Sequence, residues 1–496
     1  MSLATDHRDR NNLARPFLLV LCGYFALHIG LRVALSGYLD YDEAEQALLS
    51  QWLLAGYTEQ PPLYTWLQHF LFILFGKNVF AVSLMKNGLL LLTYICVFFA
   101  AREILHDDRP AILATVSLLL IPQIAWESQR DMTHTTLVVF AATATLWQVI
   151  RLINRQNLTN YCIFGLFLGI GILAKANYYL FAIVLLLTLS SFAEGRKVLF
   201  SRKILISLLI MAALTGTYFV WMAGNQDIIF SATHKFKREI AFSWYKGPIS
   251  LISTSFQFLT PLWLICLLVF PTGFRLKGNP EKDFHRQFVG RYLLVLFITL
   301  FIVVLVGKVT YVKDRWLQPL LFVAPIFFFA RLSPNAITLN RFKIFLKIVA
   351  VAALAIYLAF TIRVIGASYT GSFCRLNYPF RTVAEDMRHL GFTHGLIISD
   401  DRFVAGNLQM QFPTSTALIP DYRFEMLVDQ TQYPQVAVVW QAAQSVTIPA
   451  DLQTFLENTY NIQIADYPVH YLEHPYLFAR TETITLAVLF FPLSVL

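Results

Sequence analysis

The stretch VFAVSLMKNGLLLLTYICVFFAA, residues 79–101, decides the fold: it is long and apolar, and Lys86 is its one charged side chain. About 20 consecutive apolar residues in a helix cross the hydrocarbon core of a bilayer. Ten further stretches read the same way: 17–37, 110–125, 132–152, 161–175, 178–193, 204–223, 250–270, 292–307, 316–331 and 344–366. The whole chain agrees, with 57% of its 496 residues hydrophobic and 14% charged, against about 25% charged in a soluble domain. The expected architecture is an α-helical polytopic membrane protein of about eleven transmembrane helices. The spans at 161–175 and 178–193 are short and joined by the tight turn Lys175–Tyr178.

Placement of cations sets the expected topology. Arg8, Arg10 and Arg15 precede the first span, giving a cytoplasmic tail over 1–16 and an uncleaved anchor at 17–37. The segments 151–155, 196–203, 275–291 and 331–347 carry Lys and Arg and fall on the same side. The net charge of +9 therefore reads as topology, with no nucleic-acid partner implied. The transmembrane domain runs over 17–366. Loops 38–78, 126–131, 224–249 and 308–315 and everything from 367 to 496 fall outside. From Tyr369 onward polar and apolar residues mix. Strand-like runs at 395–399 and 436–440 alternate with helical patterns at 381–390 and 451–460, and 484–496 reads as a terminal strand or hairpin. This predicts a small extracytoplasmic α/β domain.

Polar residues concentrate on the outer side. Loop 38–78 holds Asp40-Tyr41-Asp42-Glu43-Ala44-Glu45, then Glu59-Gln60-Pro61-Pro62-Leu63-Tyr64. Leu48, Leu49, Trp52, Leu53 and Leu54 suit a helix lying in the interface. Loop 126–131 ends in Asp131, expected to open the fourth helix, where a carboxylate also complements the helix dipole. Two carboxylates on one face can bind a hydroxyl and take its proton. Lys175, Lys308, Lys313 and Arg315, with His234, Lys235, Lys237 and Arg238, run against the inside bias. An anionic lipid phosphate would give them a reason; snorkelling to head groups is the alternative. Lys86, inside a span, is a functional candidate by position. Ser399-Asp400-Asp401-Arg402 and Ala405-Gly406-Asn407 follow a strand, and ordinary turn capping explains them better than a ligand site.

Tyr41-Asp42-Glu43-Ala44, followed by Gln60-Pro61-Pro62-Leu63 and Trp66, resembles bacterial family 39 glycosyltransferases. These are the protein-mannosyltransferase-like enzymes of GT-C membrane fold, related to the transferase that puts aminoarabinose on lipid A. Arg130-Asp131, Ala174-Lys175-Ala176-Asn177-Tyr178 and Asp314-Arg315-Trp316-Leu317-Gln318-Pro319 extend the resemblance over roughly 17–370. It implies sugar transfer from a polyprenyl-phosphate donor to an envelope glycan, lipid (lipopolysaccharide included) or protein. The reaction would take place on the outer face of the bacterial inner membrane. It implies a catalytic Asp42, with Glu43 beside it and Asp131 assisting, and a donor phosphate held by Lys313 and Arg315. Lys175 and Lys308 join the phosphate set, and Glu59, Gln60, Tyr64 and Lys86 are substrate-binding candidates. Where the lipid A enzymes carry a lysine before the first-loop proline this chain has Gln60, which leaves the donor sugar open. Glu59 is a candidate ligand for a divalent cation, and the metal requirement is open. One-step displacement by a base opposite the leaving group predicts inversion. The rival readings are a transporter or flippase and a non-catalytic assembly protein.

Overall fold

The computed structural model describes residues 13–231, 243–271, 284–442, 447–462 and 466–493. Arg8, Arg10, the cations at 234–238, and Arg275, Lys277 and Lys282 lie outside the described residues. The chain divides into two compact units. His28–Leu53, Thr65–Met85 and the chain from Tyr357 onward form one, and the remainder forms the other.

Every apolar stretch expected to span is helical, in three different forms. Six are single long helices: Ala14–Leu35, Val79–Leu105, His134–Asn154, Ile204–Gly224, Phe284–Val306 and Leu339–Ile365. Three are helix pairs bent by 73°, 119° and 58°, starting at Asp108, Asn177 and Lys246. Two are shorter apolar helices, Leu158–Ala174 and Gln318–Ala330. Among the described residues, six helices are thus long and apolar enough to cross a membrane, or up to nine if each bent pair is one span. The expected eleven differs from nine by the two shorter helices, which fall below the length of a full span, and from six also by the three bent pairs. Pro122 and Pro261 sit at two of the bends, where proline removes an N–H and clashes with the preceding turn. At the third, the Ser190 and Ser191 hydroxyls bond back to Leu187 and Thr188 carbonyls. The Leu158–Ala174 helix packs on both His134–Asn154 and Ile204–Gly224. Its Gly165 makes the second contact close: a Cβ there would lie 2.4 Å from the Ser207 carbonyl oxygen, the small-residue packing that membrane helices use.

The other unit is built on a five-stranded sheet in the order β2-β1-β3-β5-β4. The strands are β1 Leu396–Ser399, β2 Thr416–Leu418, β3 Gln435–Gln441, β4 His470–Pro475 and β5 Thr483–Pro492. β1 pairs parallel with β2 and β3, while β5 runs antiparallel between β3 and β4. Helices Phe380–His389, Arg402–Gln411 and Ala450–Tyr460 flank it. The strands expected at 395–399 and 436–440 are β1 and β3, and the terminal apolar stretch is β5.

This unit also contains the first-loop helix Tyr41–Leu49, and here an expectation is corrected. Leu48 and Leu49 do not lie in a lipid interface: they are 0% and 1% exposed. Leu48 shares a core with Ala44, Phe403, Leu408 and Ile397, and Trp52 packs its ring 5.1 Å from Phe424. A protein core, not lipid, covers Leu48 and Leu49, while Leu53 is exposed and 52–54 lie beyond the helix. The seating is close enough that a Cβ on Gly406 would lie 2.1 Å from the Ala44 carbonyl oxygen. Gly406→Val should therefore destabilise by about 1–3 kcal/mol, the usual cost of overpacking. It should lower the melting temperature of the detergent-solubilised protein, and an unchanged melting curve would refute the contact.

Candidate active site

The acidic motif folds into the start of a nine-residue helix, Tyr41–Leu49. Asp40 is its N-cap and accepts from Tyr41 N at 2.9 Å. Glu43, three residues on, accepts the Asp40 N–H at 3.1 Å and completes a capping box. Such a box satisfies two of the amides that a helix start leaves without intrahelical partners. Arg32, from the last turn of the first long helix, then donates to Glu43 Oε2 at 2.7 Å. The same guanidinium holds the carbonyls of Ser36 at 3.0 Å and Tyr38 at 2.6 Å. Asp40 also receives Arg363 at 3.2 Å and Arg375 at 3.3 Å. Glu45 pairs with Arg402 and accepts from the Tyr422 hydroxyl. Burial, then the nearby Glu45 carboxylate, push that hydroxyl above its ordinary range, so it remains a donor. Three of the four carboxylates are thereby given to holding the helix. Asp42, half-buried in its first turn, is the fourth.

The stretch 399–407 faces this helix. Asp401 caps the helix Arg402–Gln411, accepting from Phe403 N at 2.9 Å, as the capping reading expects. Beyond the cap, Asn407 accepts from Leu39 N at 2.8 Å and donates to Leu39 O at 3.3 Å. Gln51 brackets Ala417 in the same two-way manner. Tyr41 lies against both Arg375 and Arg402, each guanidinium 4.5 Å from the ring centroid.

In the other unit the polar candidates converge on residues 123–135. Gln318, fully buried, donates to the Gln123 carbonyl at 2.9 Å and to Met132 Sδ at 3.2 Å. Gln123 donates to Asp314 Oδ2 at 3.2 Å. The loop bearing Asp131 is thus laced to the segment bearing Lys313 and Arg315. Lys175, at the end of the helix Leu158–Ala174, donates to Thr135 Oγ1 at 2.7 Å. The His134 ring lies 3.3 Å from the Ala174 carbonyl and 5.4 Å from the Tyr64 centroid, within electrostatic reach of Lys175 and Glu59. Gln60 is half-buried, its N–H on Thr58 Oγ1. The 308–313 strand of chain is held by the helix Lys246–Phe258, through Ser250 and Thr254 on Val312. Lys308 is exposed there in a left-handed conformation. Lys86 is buried within Val79–Leu105, next to Asn87, which accepts from Gln129.

Asp131 does not open the fourth helix. It follows the short helix Ser128–Arg130, and the long helix begins at His134. A helix dipole acts within the first turn, so Asp131 has little dipole role to explain it. A five-residue π-turn, Gln123–Glu127, precedes it, a distortion frequent at functional sites. The sequence reading gave no role to Gln123, His134, Asn177 or Gln318. Among the described residues, the Gln123 and Gln318 side-chain oxygens and both polar atoms of the Asn177 amide are buried without a hydrogen-bond partner. The signal available in the sequence was their position inside or beside stretches already singled out. No group of three or more His, Cys, Asp or Glu side chains able to hold a metal ion is gathered among the described residues.

Known proteins match this arrangement along nearly its whole length. The dolichyl-phosphate-mannose-protein mannosyltransferase family matches residues 59–221. The chain is 30% identical over 482 residues to the lipopolysaccharide core galacturonosyltransferase RgtB of Rhizobium johnstonii, covering 96% of each. It is 30% identical over 437 residues to RgtA of the same organism and description, covering 86% of this chain and 87% of RgtA. The crystal structure of ArnT from Cupriavidus metallidurans bound to undecaprenyl phosphate has the same fold. It superposes with a TM-score of 0.60 at 14% identity, covering 96% of this chain and 98% of ArnT. Shared sequence over the full length and a shared fold lead to one conclusion: the chain belongs to the protein-mannosyltransferase-like family of GT-C membrane glycosyltransferases.

Proposed function

We propose that the chain transfers a hexuronic acid from a polyprenyl-phosphate donor to the lipopolysaccharide core, on the outer face of the bacterial inner membrane and with inversion. The observation that carries this reading is the similarity, over nearly the full length, to two relatives that both bear the description of core galacturonosyltransferases. The undecaprenyl phosphate held by ArnT supports the donor class.

The chemistry assigns roles as follows. Asp42 is the base: it takes the proton as the acceptor oxygen attacks the anomeric carbon. The bond from that carbon to the phosphate oxygen breaks, and its electron pair leaves with the phosphate. The transition state is oxocarbenium-like. Glu43, committed to Arg32 and the capping box, orients the helix that carries Asp42. Asp131 assists on the acceptor or the sugar. A uronosyl phosphodiester brings two anionic groups, so it needs more cations than a neutral sugar would. Arg315 and Lys313 take the phosphate, Lys175 and Lys308 the remaining charge, as preorganised electrostatics. Glu59, Gln60, Tyr64 and Lys86 contact substrate, and the buried carbonyl oxygens of Gln123 and Gln318 accept sugar hydroxyls. A phosphate leaving group needs little acid help, which fits a carboxylate that serves as base alone.

Asp42→Asn should lower transfer by about 10²–10⁴-fold, the usual contribution of a positioned base, while expression and melting temperature stay unchanged. Mass spectrometry of the lipopolysaccharide core from a deletion strain carrying the variant reads this out. A core that keeps its uronic acid would sink the assignment of Asp42. A core unchanged by deletion itself, with altered solute uptake, would favour a transporter. Separately, NMR of the product should give the anomeric configuration opposite to the donor's, and retention would rule out single displacement.

A further inference from the structure

We propose a second anion site, for the phosphate of a membrane lipid, at the other end of the helix that leads to Lys308. Phe284–Val306 has 23 residues and is therefore about 34 Å long at 1.5 Å per residue, more than the roughly 30 Å hydrocarbon thickness. Lys308 follows one end. At the other end lies a cavity of about 60 Å³, several times the ~10–15 Å³ that one water needs. Arg286, from the first turn of this helix, lines it together with Arg109 and Asp107. Leu105, Phe329 and Ile337 supply an apolar wall.

The charges favour an anion. Asp107 caps the helix Asp108–Val116, accepting Arg109 N at 2.9 Å. Asp108, with no exposed surface, is paired with Arg102 at 2.7 Å. Among the described residues, Asp107 thus serves the local fold as a cap and Asp108 as an ion pair, while the cavity itself is lined by two guanidiniums and one carboxylate. Two guanidiniums are a matched fork for phosphate oxygens. The apolar wall beside them suits the first carbons of an attached lipid and would do nothing for a free ion. The site is independent of the transfer reaction, because it sits a membrane's thickness from Lys308 along the helix that joins them.

Native mass spectrometry of the full-length protein, delipidated in detergent and titrated with phosphatidylglycerol, tests this. The wild type should retain one lipid whose occupancy falls at least fivefold in Arg109→Gln and in Arg286→Gln. Arg196→Gln removes the same charge from an exposed residue on another helix and should leave occupancy unchanged. The two site variants lie on different helices, and the melting temperature of each checks its fold. Equal retention in both site variants overturns the proposal, as does an equal loss in Arg196→Gln. Millimolar inorganic phosphate forms the competing arm. If it binds and phosphatidylglycerol does not, the site takes free phosphate and the lipid assignment fails.

Discussion

The buried pair between Arg32 and Glu43 is the interaction on which the acidic helix depends. Both are nearly inaccessible, at 6% and 1% exposure. Removing two charges from water costs several kcal/mol per ion and is offset only when the remaining donors and acceptors are used. Here they are used: Arg32 also takes the carbonyls of Ser36 and Tyr38, and Glu43 also takes the Asp40 amide. The same four contacts fix how the chain leaves the first long helix and re-enters a helix at Tyr41. Since helical geometry follows from the entry angle, they also fix where Asp42 is held. Loss of either partner would leave an uncompensated buried charge, worth about 3–5 kcal/mol.

A second consequence concerns the C-terminal sheet and its helices. Arg402 and Tyr422 on Glu45, Asn407 on the Leu39 backbone, Gln51 on the Ala417 backbone and Gly406 under Ala44 all join the first-loop helix to the 400–422 region. These two stretches lie more than 350 positions apart in the chain, yet form one core. A helix of nine residues has little stability of its own, so its order comes from this packing. That gives the C-terminal region a structural role: it is the surface on which the acidic helix rests.

The sequence was informative where burial dominates and poor where pairing dominates. Every long apolar run is a helix, because in lipid the backbone must satisfy itself within the segment. The interior strands β1, β3 and β5 were legible as apolar runs. The two missed strands, β2 and β4, are the sheet's edges. β2 has three residues, and β4 reads His470-Tyr-Leu-Glu-His-Pro475 with mixed burial, so neither offers the pattern that the centre of a sheet imposes. At the site, the acidic motif was found and the resemblance singled out Asp42, but the structural roles of Asp40, Glu43 and Glu45 went unread. The spacing of Asp40 and Glu43 is that of a capping box, which was the available signal. The Arg363 and Arg375 partners of Asp40 were beyond sequence reasoning, because ion pairs across 323 and 335 positions leave no periodicity.

The remaining candidates follow a simpler constraint. Lys175 is the extended cap of one helix, Lys308 is left-handed after another, and Lys313 precedes a single 3₁₀ turn. Asp131 likewise occupies the gap between two helices. Charged groups are expensive inside hydrocarbon, so a membrane enzyme must place its polar chemistry at span ends, where helices stop. That is why these residues stood out in the text as polar interruptions. Their grouping required the carboxamides of Gln123 and Gln318, two side chains that tie one interruption to another. Lys86 is the exception, 2% exposed within a long helix. It lies next to the Asn87–Gln129 hydrogen bond that reaches the Asp131 loop.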